Sequence, residues 1–233
     1  MPAGRVIALE GASGAGKTTA IDALARGEGW TTVPEAYRRL DPPPPLEVGG
    51  ASDLLQLEER LLAEEARRYV ECRAAARSGV TVLADTGFFG PLSYTAGLIA
   101  LGAAPPELLS ALVATARAHA AAGRWGGPDG ILWLATPEAA RSERVRADPV
   151  GHPPDLARRH ALVGAVERAL YARRIGPLFG PRYREVSGAG DPAAVARRLD
   201  VAVRTIAAVR TRLPPLATVL AAFERDPPVS RSR

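Results

Sequence analysis

The chain has 233 residues, 47% of them hydrophobic and only 5% aromatic. It can form one large domain or two small ones, with a core built from Ala, Val and Leu. The formal net charge is +5, and the single cysteine, Cys72, excludes an intramolecular disulfide or a cysteine-based metal site.

No apolar run reaches the ~18 residues that a membrane helix needs. The polar, glycine-rich residues soon after the first apolar stretch do not fit a secretory signal, so a cytoplasmic protein is expected. Arginine is spread along the chain rather than run in blocks. An anionic substrate accounts for the charge, and no nucleic-acid-binding motif appears.

The first predicted strand is Arg5–Glu10 (RVIALE), short, apolar and rich in β-branched residues. Directly after it comes GASGAGKT: Gly11, Ala12, Ser13, Gly14, Ala15, Gly16, Lys17 and Thr18, with Thr19 following. This is the GxxxxGK[ST] pattern, whose backbone N–H groups cradle phosphates while the lysine reaches the β- and γ-phosphates. Of 30 basic residues Lys17 is the only lysine. A chain that uses arginine wherever a cation serves has kept an ammonium here. Thr18 is expected to present a hydroxyl to Mg2+. A helix over Thr18–Arg26 ends at Gly27 and Gly29, and its N-terminus adds partial positive charge at the phosphates.

A second strand, Trp30–Val33, ends in Pro34 and Glu35. A carboxylate there can accept a proton from an acceptor hydroxyl, work that an already ionised phosphate acceptor does not require. The bland alternative is an exposed acid beside Arg38 and Arg39. The four prolines within Asp41–Pro45 stiffen a surface loop. A long helix follows over Asp53–Arg77, with Leu54, Leu57, Leu61, Leu62, Tyr69 and Val70 on one face and Glu and Arg opposite. Cys72 lies in this helix as a small buried hydrophobe, and its leucine face could form a homodimer.

The third strand, Val80–Ala84, is an unbroken apolar run, as expected when both faces are covered. Asp85 ends it, placed to hold Mg2+ directly or through water, with a helix N-cap as the alternative. Phe88, Phe89 and Tyr94 follow and could stack on a planar ring or pack in the core. A helix over Pro106–Ala122 leads to a fourth strand, Ile131–Ala135. Thr136, Pro137 and Glu138 come next, opening a helix over Pro137–Arg146 that carries Arg141, Arg144 and Arg146. Arg141 and Arg144 share a helix face. Such arginines can neutralise charge on transferring phosphoryl oxygens when a lid closes, or can sit on a solvated face with Glu138 and Glu143. The lid spans about residues 141–158, turning over Asp148–Asp155. A helix over Leu156–Arg173, a weaker strand over Arg182–Val186 and a helix over Pro192–Arg210 complete a domain of residues 1–210. Residues 211–233 form a C-terminal helix and a tail, whose last eight residues, Asp226–Arg233, read as disordered.

Strands alternating with helices imply an α/β fold: a parallel sheet between two helical layers, with ligands bound beyond the carboxyl ends of the strands. At this point the chain resembles the deoxynucleoside kinase and thymidylate kinase group of P-loop kinases. The matching segments are ALEGASGAGKTT, TTVPEAYRR, VTVLAD with SYTAG, WLATPEAARSERVRAD, and YREVSG before the Asp191–Pro192 helix start. The resemblance implies a three-layer fold with a five-stranded parallel sheet in the order 2-3-1-4-5. It implies ATP with Mg2+, Glu35 as the base or acceptor-hydroxyl ligand, and the lid arginines on the phosphates.

One departure concerns the acceptor. The group commonly carries an arginine directly after the acid that ends the third strand, whereas Asp85 is followed here by Thr86 and Gly87. Arg38 or Arg39 could substitute, or the acceptor is another small hydroxyl compound such as a metabolite or antibiotic. The leading reading is an ATP-dependent kinase in which Lys17, Glu35, Arg144 and Arg146 act on a small-molecule hydroxyl. Arg141 and the loop bind nucleotide, and Thr18 and Asp85 bind the metal. The alternatives are a nucleoside-monophosphate kinase and a P-loop ATPase switch; the sequence has no NKxD base-recognition motif.

Overall fold

A computed structural model describes residues 4–26, 30–45, 49–146 and 154–225. Five parallel strands form one sheet in the order β2-β3-β1-β4-β5: β1 Val6–Glu10, β2 Trp30–Val33, β3 Thr81–Asp85, β4 Gly130–Ala135 and β5 Tyr183–Ser187. This is the expected order. The central strand β1 runs parallel to β3 with Val6 opposite Val82 and Leu9 opposite Asp85, and parallel to β4 with Ile7 opposite Gly130.

All five residues of β1 are buried, because helices cover both faces of the sheet. Strand alternation divides the core accordingly. Val6, Val82, Ala84, Ile131 and Trp133 face one layer, made of α2 (Ala51–Arg77), α3 (Gly90–Ala100), α4 (Pro106–Ala121) and α9 (Leu216–Glu224). Ile7, Leu9, Leu83, Leu132 and Leu134 face α1 (Lys17–Ala25) and α8 (Pro192–Ala208). The remaining helices are α5 (Glu138–Arg146), α6 (Pro154–Leu170) and α7 (Gly176–Phe179), the last two joined by a π-helical turn, Tyr171–Ile175. Among the described residues no helix is long and apolar enough to cross a membrane.

Element boundaries fall within a residue or two of expectation, with three differences. Asp85 lies inside β3 rather than beyond it, held in register by Leu9. Gly90–Ala100 is a helix that the sequence pattern does not reveal. It is buried on most sides, from Pro91 to Leu98, so it has no polar face to mark its period, and the Gly-Pro at its start reads as a break. Pro91 in fact occupies the first turn, where its missing N–H costs nothing.

The third difference is α2. Its acids and arginines do not lie opposite a leucine face: Glu58, Glu64, Glu65 and Arg68 are buried, while Val70 is 45% exposed. Most of these charges neutralise one another by direct pairing, which is what allows ionic groups inside a core. Glu64 pairs with Arg39 and Arg67, and Glu65 with Arg68 at 2.5 Å. Cys72 is fully buried, as expected. The C-terminal helix exists as α9, and it is not peripheral: Val219, Leu220 and Phe223 are core residues against α3 and α4. The expected terminators Gly27 and Gly29, most of the Asp148–Asp155 turn, and the tail Asp226–Arg233 lie outside the described residues.

Candidate active site

β1 delivers the chain to Gly11, and the loop then needs backbone conformations closed to most side chains. Gly14 and Gly16 have φ of 74° and 90°. A Cβ at Gly14 would also meet Val145 Cγ2 at 2.5 Å, and one at Gly16 would meet an Arg144 nitrogen at 2.9 Å. Ala15 is buried, and Thr136 Oγ1 at the end of β4 donates to its carbonyl at 2.8 Å. Gly16 caps α1, so the helix begins at Lys17 with its free N–H groups facing the loop. Lys17 Nζ donates to the Gly11 carbonyl at 2.8 Å and the Ala12 carbonyl at 3.4 Å, spanning the loop it is meant to serve. Thr19 is exposed on α1.

Thr18 and Asp85, predicted as metal ligands, meet: Thr18 Oγ1 donates to Asp85 Oδ2 at 2.7 Å. Asp85 is 3% exposed, and its Oδ1 is buried without a hydrogen-bond partner. Burial pushes its carboxyl above the usual range against the pull of Thr18 and Lys17. A buried carboxylate with one orphaned oxygen, next to a hydroxyl and a helix N-terminus, suits a cation. Among the described residues no group of three or more His, Cys, Asp or Glu gathers around a metal point. Mg2+ commonly takes one or two protein oxygens and fills its octahedron with phosphates and water.

Glu35 stands next to this pair. Thr86 Oγ1 donates to Glu35 Oε2 at 3.4 Å, and Arg38 Nε donates to Oε1 at 2.9 Å. The side chain is 28% exposed, so it is partly open to solvent. Thr86 is held at φ 60°, in the left-handed region that a β-branched residue avoids at a cost of ~1–3 kcal/mol. Two hydrogen bonds hold the carbonyls on either side of it. The fully buried Arg68 donates to the carbonyls of Asp85 at 2.8 Å and Thr86 at 3.0 Å. The next residue, Gly87, lies where a Cβ would collide with Glu10 Oε1 at 2.0 Å.

Glu10, the last residue of β1, carries no sequence motif that marks it. It is 4% exposed, accepts from Tyr171 at 2.7 Å, and burial raises its carboxyl while Lys17 and Arg68 hold it down. Tyr171 opens the π-helical turn, so an irregular turn aims a hydroxyl at the strand end behind the phosphate loop. Arg68 is likewise unmarked, because an arginine in a long helix reads as a surface charge. Both have a faint signal in hindsight: each is a charge on an otherwise apolar, inward-facing position.

The three lid arginines separate. Arg141 is 4% exposed, pairs with Glu138 at 2.5 Å and donates to the Ser13 carbonyl at 3.1 Å. Arg144 donates to the Ala15 carbonyl at 2.7 Å and to Gly188 at 3.4 Å. Both therefore brace the phosphate loop from outside. Arg146 donates back to the Ser142 carbonyl of its own helix and is exposed. Arg39, a candidate for the missing acceptor arginine, is bound to Glu64 and to both oxygens of Glu71. Phe88 and Phe89 are fully buried and pack edge-on against Tyr69 and Trp125, so neither offers a ring to a ligand. Tyr94 is half-buried near the site, edge-on to His160 at 6.1 Å.

The arrangement presents phosphate-binding amides, a lysine, a hydroxyl–carboxylate pair and a second carboxylate at adjoining strand ends. The AAA domain family model matches residues 6–122, half of the chain. No curated protein sequence matches it. Among solved structures, deoxyadenosine kinase from M. mycoides with bound dATP superposes with a TM-score of 0.64 at 11% identity, covering 85% of this chain and 99% of that one. The same enzyme with the products dCMP and a flexible dCDP gives 0.63 at 11%, covering 86% and 99%. The likeness is one of fold.

Proposed function

From the premise that the chain belongs to the AAA domain family, with the fold of a deoxyadenosine kinase, we propose that it is an ATP-dependent phosphotransferase acting on a hydroxyl of a small molecule. One observation carries this: Glu35 stands beside the Thr18–Asp85 pair, linked to it through the strained Thr86. A hydrolytic switch has no use for a carboxylate at the mouth of the acceptor side, and a phosphate acceptor would be repelled by it.

In this reading the loop amides of Gly11–Thr18 and Lys17 bind the donor phosphates, and Lys17 exchanges its contacts with Gly11 and Ala12 for phosphate oxygens. Thr18 and Asp85 hold Mg2+, which when bound neutralises charge on the phosphates. Glu35 accepts the proton of the acceptor hydroxyl as its oxygen attacks the γ-phosphorus. The bond from that phosphorus to the β,γ-bridging oxygen breaks, and ADP leaves with the electron pair. Arg141 and Arg144 fix the loop, with Arg144 near enough to Gly16 to follow the charge of the transferring group.

The test is ADP release from the full chain with ATP and Mg2+, alone and with panels of nucleosides, nucleotides and other hydroxyl compounds. Turnover that rises only when an acceptor is added supports the reading. Turnover indifferent to every small molecule overturns it in favour of a switch.

A further inference from the structure

The buried acids of α2 are of two kinds. Glu64 and Glu65 are paired with arginines. Glu58, 2% exposed, has no such pair among the described residues, and its Oε2 is buried there without a hydrogen-bond partner. A lone carboxylate in that setting costs several kcal/mol unless something compensates it. Its electrostatic neighbours are more acids and phenols: Glu167 of α6 and Tyr94 of α3. Glu167 accepts from the neutral hydroxyl of Ser93 at 2.8 Å and lies within the field of Lys17 and Glu10, so the cluster adjoins the phosphate end of the site. Tyr37, anchored through its hydroxyl to the Pro44 carbonyl, adds a second phenol between Glu35 and Tyr94. On α6, Arg159 acts on Tyr94 without a comparable effect on Glu58 or Glu167, and His160 stands edge-on to the Tyr94 ring.

Leu54 of α2, Tyr94 of α3 and Val163 of α6 pack in one cluster, one helical turn from Glu58 and Glu167. Resting on the kinase reading, we propose that this acidic cluster receives the positively charged group of the acceptor, so that the substrate is an organic cation bearing a hydroxyl, its ammonium-type charge seated between Glu58 and Glu167. A phosphorylated acceptor would meet two carboxylates and two phenols with Arg39 already occupied, and a neutral one would bring no charge to offset the two acids. Burial pushes Glu58 up to about 8 and Glu167 up to about 7. The two acids therefore hold protons near neutrality. An arriving cation favours the carboxylates, so its binding releases a proton to the buffer.

The experiment uses the full chain and matched acceptor pairs that differ in charge: choline against its neutral carbon isostere, glucosamine against glucose, and nucleosides against their monophosphates. ADP release should favour the cationic member of a pair. Glu58→Gln, which keeps the shape, should raise its KM by about tenfold to a hundredfold and remove the preference, with KM for ATP unmoved. Calorimetric binding of the cationic probe should show an enthalpy that varies with buffer ionisation in the wild type and less so in Glu58→Gln and Glu167→Gln. A preference for neutral or phosphorylated acceptors, or a cation preference that survives Glu58→Gln, overturns the proposal while leaving the kinase reading standing. If no acceptor stimulates ADP release, the kinase reading fails. Cation binding by calorimetry, lost in Glu58→Gln, would then still support the acidic cluster as a cation site, and its absence would overturn it.

Discussion

The donor and acceptor sides of the site are built by opposite means. On the donor side the loop is one run of residues, Gly11–Thr18, whose carbonyls accept from Lys17, Arg141, Arg144 and Thr136, while Thr18 donates to Asp85, whose other oxygen is left for a cation. On the acceptor side Glu35, Glu58, Tyr94 and Glu167 come from four separate segments, and one buried oxygen has no partner. The donor phosphate is the same in every kinase of this architecture, so a local loop can recognise it. An acceptor varies, and its pocket is assembled from whatever side chains the helices bring together.

Substitutions separate the two sides. The largest effect is expected from Lys17→Arg, because a planar fork does not replace a compact ammonium between Gly11 and the phosphates. Turnover should fall by roughly 10²–10³-fold with every acceptor, measured as ADP release. An active Lys17→Arg enzyme would dissolve the distinction at its donor end.

Glu35→Gln should lower kcat by ~10²-fold or more while ATP binding is retained, which a nucleotide-binding titration would check. Near-normal turnover would remove Glu35 from proton transfer. Arg144→Ala should impair turnover by roughly tenfold or more, through loss of one charged donor at the loop. Arg146→Ala should cost less, since among the described residues Arg146 bonds to its own helix. The reverse order would mean that the lid closes by a route in which Arg146 reaches the phosphates.

A smaller effect concerns stability. Glu58 is pushed up to about 8 in the folded chain against ~4.3 when unfolded. Between those values the folded state holds the extra proton, so stability falls as pH rises from about 4 to about 8. Glu58→Gln removes this term and should raise the melting temperature at pH ~9 relative to wild type, by ~2–4 °C per kcal/mol recovered. Its advantage should shrink towards pH ~5. A wild type equally stable at both extremes relative to the variant would show that Glu58 is compensated after all, and that the acceptor side is no less satisfied than the donor side.

Legibility in the sequence followed the same division. The phosphate loop with Thr18 follows β1, Asp85 is the last residue of β3 and Glu35 lies just past β2, and parallel α/β topology sends the carboxyl ends of such strands to one edge. The strand order follows from the resemblance carried by those same segments. Glu58, Glu65, Arg68 and Glu167 were illegible because a charge within a helix reads as a solvated face. Only packing reveals which charges turn inward and which find partners. Phe88 and Phe89 were ambiguous for the mirror reason, since an aromatic beside a site serves a ring stack and a core equally well until its neighbours are known.

By itself the sequence determined the position and type of the P-loop, because its pattern of glycines and one lysine is complete within eight residues. The tertiary structure alone decided which acids turn inward and which are neutralised. Those outcomes depend on pairings such as Arg68 with Glu65, and on the absence of one at Glu58, between elements that share no sequence register.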